Sequence, residues 1–79
     1  MELDHDKIDD VVLALLALNQ FGRRGLDEVR AWKGMDWDAL NRLYEKGLIY
    51  DPKNKAKSVV FSDEGLELAN ELLERLFAK

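Results

Sequence analysis

The sequence predicts a mainly α, α+β fold in which three helices lead into a β-hairpin and a C-terminal helix closes the chain, and three observations predict it. Apolar residues recur at helical spacing in four stretches, three of which open on a capping residue, Asp4, Asp36 or Ser62. Glycines stand where two of the stretches should stop, at Gly34 and Gly47. Strand formers concentrate in residues 48–50 and 57–61, on either side of the turn-forming Asp51-Pro52-Lys53-Asn54-Lys55.

The first helix is expected from about residue 6 to residue 21. Asp4 caps it, and Asp6, Asp9 and Asp10 fall in its opening turns, where the helix dipole favours negative charge. Ile8, Val11, Val12, Leu15, Leu16 and Leu18 form its apolar stripe, while Leu13 and Ala17 lie off that stripe. A helix apolar almost all round is normally covered on more than one side. The second cover is either the last helix or another copy of the chain, since symmetric dimers are the commonest soluble oligomers.

Gly22-Arg23-Arg24-Gly25 reads as a loop, and a short second helix is expected to carry Leu26, Val29 and Trp32 on one side. In the third helix Asp36 is the cap, Met35 staples against Leu40, and Leu40, Leu43 and Tyr44 point inward. Gly47 takes a left-handed conformation there, so that Leu48 folds back on Leu43. Ser62 opens the last helix, whose Leu66, Ala69, Leu72, Leu73, Leu76 and Phe77 make one wide apolar face.

At 79 residues the chain has room for one core, so residues 1–79 are read as a single domain. It has no cysteine and one histidine, and neither a disulfide, a structural metal nor a cofactor is expected. The start is acidic where an export signal needs positive charge, and the apolar run 11–18 is far shorter than the roughly 20 residues of a membrane span. A cytoplasmic location follows, with no membrane partner. The formal net charge of −4 is segregated: residues 1–10 and 62–79 are acidic, whereas residues 23–57 carry nine basic and six acidic side chains. Anions would be drawn to the middle of the chain.

Enzymatic chemistry finds no constellation. His5 sits between Asp4 and Asp6 near the N-terminus, without the preformed geometry a metal needs. Asp9 and Asp10, being adjacent, point about 100° apart on a helix and read as surface acids rather than a catalytic pair. The serines are Ser58 and Ser62, with no base placed beside them, and Gly22-Arg23-Arg24-Gly25 lacks the lysine and spacing of a phosphate loop. The chain is expected not to be an enzyme.

Two surfaces are candidates for binding. Trp32 and Trp37 would form a platform for a base or peptide if exposed, although burial is expected, because Trp32 continues the Leu26 and Val29 side and Trp37 shares a side with Tyr44. With Leu13 and Ala17 they make up the candidate protein-interaction surface. Arg23, Arg24, Asn41, Arg42, Lys53, Lys55 and Lys57 are the candidate nucleic-acid contacts, with Arg30 and Lys33 nearby in sequence. Hairpin lysines also serve simply to guard a strand edge. Asp36 and Asp38 at the start of the third helix would meet phosphates with the wrong sign, and its outward side sums to −1, which disfavours DNA binding.

The run Leu40-Asn41-Arg42-Leu43-Tyr44-Glu45-Lys46-Gly47-Leu48-Ile49, a basic hairpin and then Val60-Phe61-Ser62-Asp63-Glu64-Gly65-Leu66 resembles bacterial winged helix-turn-helix regulators, where it would span the end of the recognition helix, the wing and the next helix. The resemblance implies a winged-helix fold, which hosts both DNA-binding and protein-interaction modules. A fuller likeness is carried by Asp9-Asp10-Val11-Val12-Leu13-Ala14-Leu15-Leu16, Arg30-Ala31-Trp32-Lys33-Gly34, Asp36-Trp37-Asp38-Ala39-Leu40, Glu45-Lys46-Gly47-Leu48-Ile49, Asp51-Pro52 and Lys55-Ala56-Lys57-Ser58-Val59-Val60. On these residues the chain resembles a family of short bacterial proteins described as a domain of unknown function, which implies no activity. A protein-interaction or self-association module is the leading expectation, and a DNA-binding regulator using the basic wing and arginine loop is the alternative.

Overall fold

Asp4 acts as a cap: its side chain accepts the Lys7 amide at 3.1 Å, and helix α1 runs His5–Leu18 in the computed structural model, which describes residues 1–22, 29–53 and 57–79. The helix stops three residues before the expected end. Asn19 closes it, its backbone N–H directed at the Leu16 and Ala17 carbonyls and its side-chain amide donating to the Leu15 carbonyl. Gln20 and Phe21 then leave as strand β1, and Gln20 Nε2 donates to the Ala17 carbonyl and to Asn70 Oδ1.

The largest departure from expectation follows. Arg30–Trp32, placed above in a second helix, is strand β2. It pairs antiparallel with β1, Gln20 opposite Ala31 and Phe21 opposite Arg30. On its other side it pairs with β3, Ser58–Val60, matching Arg30 to Val60, Ala31 to Val59 and Trp32 to Ser58. The order is β1-β2-β3. Ala31 and Val59 are buried on the core face while Trp32 is exposed, the two-residue period of a strand. The spacing of Leu26, Val29 and Trp32 fits a helix, yet a short run cannot separate the two periods, and Ala31 against Val59 decides for the sheet. Leu26 lies outside the described residues.

Helix α2, Trp37–Glu45, begins where Asp36 accepts the Ala39 amide and buries Ala39, Leu40 and Leu43. Tyr44, expected inward, faces solvent. The helix ends as expected on Gly47, whose φ of +76° is open to glycine and strained for other residues. Leu48 N–H donates to the Leu43 carbonyl at 3.0 Å and Gly47 N–H to the Tyr44 carbonyl at 2.9 Å, the two bonds of a Schellman ending. The expected hairpin is reduced to an antiparallel bridge of Ile49 with Phe61 and a bond from Tyr50 N–H to the Val60 carbonyl, because β3 spends its main ladder on β2.

Ser62 then starts helix α3, Asp63–Phe77, and ties it to the end of α2. Its hydroxyl accepts the Gly65 amide and donates to the Gly47 carbonyl at 2.7 Å, while its own N–H donates to the Leu48 carbonyl. Gly65 lies against that same carbonyl, and a Cβ there would fall inside the van der Waals envelope of the Leu48 backbone. Above this joint α1 packs chiefly on α3 and also on α2 and β2, closing a core of Leu13, Leu16, Leu40, Leu43, Ile49, Val59, Phe61, Leu66 and Leu72 with their smaller neighbours. The described residues form a small α+β fold with three helices and a three-stranded antiparallel sheet. Among them the segment before α2 holds strand β2, Arg30–Trp32, and residues 23–28, where the second helix is expected to begin, lie outside them.

Gly65→Ala is therefore expected to destabilise the protein by about 2–4 kcal/mol, since backbone rather than a movable side chain must give way. Gly47→Val should lose more than about 1 kcal/mol to strain and a weakened cap. Urea unfolding of the two variants beside the parent chain measures both, and unchanged midpoints would contradict the joint described here.

Candidate functional site

The orientation of α1 decides which candidate residues are available. Its buried positions are Asp9, Val12, Leu13, Leu16 and Ala17, with Ala14 alongside, which is the i, i+3, i+4, i+7, i+8 stripe of one helix face. Leu13 and Ala17, left open between cover by the last helix and by another copy, are covered within the chain at the centre of the core, with α3 as the chief partner of α1. The apolar residues left outside are Val11 and Leu18, with Leu15 half-buried between them. Counting apolar residues alone put the stripe one position off, because Asp9 belongs to it.

Asp9 is a charged residue at 1% exposure, and it is paired twice. Arg42 donates to both of its carboxylate oxygens through Nε, at 2.9 and 3.0 Å, and again through Nη2 at 2.8 Å. Lys46, one turn on, donates to Oδ2 at 2.9 Å and also reaches the exposed Asp6. Burial by itself would push the Asp9 carboxyl up, but hydrogen bonds from Arg42 and Lys46, reinforced by their charges, outweigh it and hold Asp9 below the usual carboxylate range. The bond to Asp9 is also the main reason the Lys46 ammonium is held above its ordinary value. Asp9 is thus not the surface acid expected from sequence. Arg42, expected to face phosphates, is instead committed to a contact between α1 and α2. The i, i+4 spacing of Arg42 and Lys46, opposite an acid on an apolar face, was the sequence signal for this pairing.

The tryptophans correct the expectation of burial. Trp32 is 57% exposed and stacks on Phe21 with ring centroids 4.8 Å apart and planes at 28°. The pairing of β1 with β2 sets this contact, since Phe21 is registered opposite Arg30, two residues before Trp32 and on the same face of the sheet. Trp37 is 51% exposed at the first turn of α2, with Lys33 Nζ 5.5 Å from its ring centroid and donating to the Pro52 carbonyl at 2.6 Å. Trp37 and Tyr44 do share a helix side, and it is the outer one. Phe21 as a stacking partner was not foreseen, because it was placed in a helix. Of the expected nucleic-acid contacts, Lys53 and Lys57 are exposed and Asn41 is half-buried, while Arg23, Arg24 and Lys55 lie outside the described residues. Arg30 donates to the Ser58 hydroxyl at 2.7 Å.

Residues 4–79 match the domain of unknown function DUF6429, which covers nearly the whole chain. The chain belongs to the DUF6429 family. A relative in Sinorhizobium fredii (strain NBRC 101917 / NGR234), the uncharacterized protein y4hR, is 54% identical over 79 residues and aligns over 100% of both chains. No solved structure matches the chain. The likeness read from the two tryptophan segments and the Glu45-Lys46-Gly47-Leu48-Ile49 run is therefore one of DUF6429 membership, and membership brings a bacterial relative but no activity. Among the described residues of this DUF6429 chain, no helix is long and apolar enough to cross a membrane.

The Asp9 cluster generates a pH dependence. A carboxylate held below its unfolded value stabilises the fold fully above that value, about 3.9, and loses the contribution as pH falls toward the folded one. Asp9→Asn should then melt well below the parent near neutral pH, with the gap narrowing steadily below about pH 4. Arg42→Met, which leaves Asp9 buried with Lys46 alone, should lose roughly 2–3 kcal/mol, less than a wholly buried pair because Lys46 keeps contact with water. Melting curves at a series of pH values test both, and a gap independent of pH would contradict the role of Asp9.

Proposed function

We propose that this DUF6429 chain is a non-enzymatic interaction module that binds a protein partner or another copy of itself. The observation that carries the reading is the exposure of large apolar side chains in ordered elements: Trp32 on Phe21, Trp37 beside Lys33, and Leu18 with Phe77 at the ends of α1 and α3. Half-exposed aromatics held in place by a neighbouring ring or cation bring contact area at small entropic cost, which is what interface anchors supply. The buried carboxylate of Asp9 is engaged by two cations and is not free to move protons, in keeping with a module rather than an enzyme.

A DNA-binding regulator is the second reading, and it rests on the exposed Lys53 and Lys57 and on what remains of a wing, the Ile49 to Phe61 bridge. It is weaker than the first. Arg30–Trp32 before α2 is strand rather than helix, Arg42 is held by Asp9, and Asp36 and Asp38 crowd the start of α2.

A photo-crosslinking residue placed at Trp32 or Trp37 in cells is expected to give a discrete protein adduct, lost when the label is moved to the exposed Glu45. Absence of any adduct, together with binding to random duplex DNA that weakens steeply with salt, would overturn the reading in favour of the regulator.

A further inference from the structure

We draw no further inference here: the strongest candidate, the apolar groove between the ends of α1 and α3 lined by Leu18, Leu73, Phe77 and Ala78 with Asn70 and Glu74, is an unpartnered face, and nothing in the structure shows what covers it.

Discussion

The pairing of Asp9 with Arg42 and Lys46 is the contact on which the surfaces of this protein depend. A carboxylate at 1% exposure must meet cations, and the ones available are both on α2. That requirement fixes α1 in rotation about its own axis, because Asp9 can face α2 only if Val12, Leu13, Leu16 and Ala17 face inward with it. The same rotation turns Val11, Leu15 and Leu18 outward. One ionic contact thus decides which of two apolar stripes becomes core and which becomes surface, a choice that hydrophobicity alone leaves nearly balanced on a helix apolar all round.

A second constraint acts at the same C-terminal end of α2, one residue beyond Lys46. The Schellman ending at Gly47 turns the chain so that the Leu48 carbonyl meets the first turn of α3, where Ser62 and Gly65 receive it. The carbonyl accepts from Ser62 N–H and leaves no room for a side chain at Gly65. With α1 keyed to α2 by charge and α3 keyed to α2 by this joint, the three helices have little freedom left, and the sheet is laid down beside them. Phe21 and Trp32 then stack on the outer face of the sheet because their strands are registered by Ala31 and Val59 on the inner one.

Much of this was legible in the residues, and what was not has physical causes. The caps at Asp4, Asp36 and Ser62 and the left-handed Gly47 are local chemistry, set within four or five residues, and each forms as read. The strand at 30–32 was not, since its identity comes from pairing with the distant residues 58–60. Trp32 and Trp37 read as core because Trp32 continues the Leu26 and Val29 side and Trp37 shares a side with Tyr44, whereas here Ala31 and Ala39 are the buried neighbours and the tryptophans the outer ones. The α1 stripe was misplaced for a related reason: pattern counting excludes an acid from the inner face, and only the cations at Arg42 and Lys46 readmit it. Of the candidate interaction residues, Leu13 and Ala17 lie in the core, while Trp32 and Trp37, expected to be buried, are exposed.

The central claim is therefore the rotation of α1, and the chain's lack of cysteine makes it directly measurable. Single cysteines at positions 13, 17, 11 and 18, assayed for thiol labelling in dilute native protein, report the two faces separately. The account predicts that Leu13→Cys and Ala17→Cys are protected and label only through opening of the fold, while Val11→Cys and Leu18→Cys label close to the rate of a free thiol. Rapid labelling at 13 and 17 with protection at 11 and 18 would contradict it.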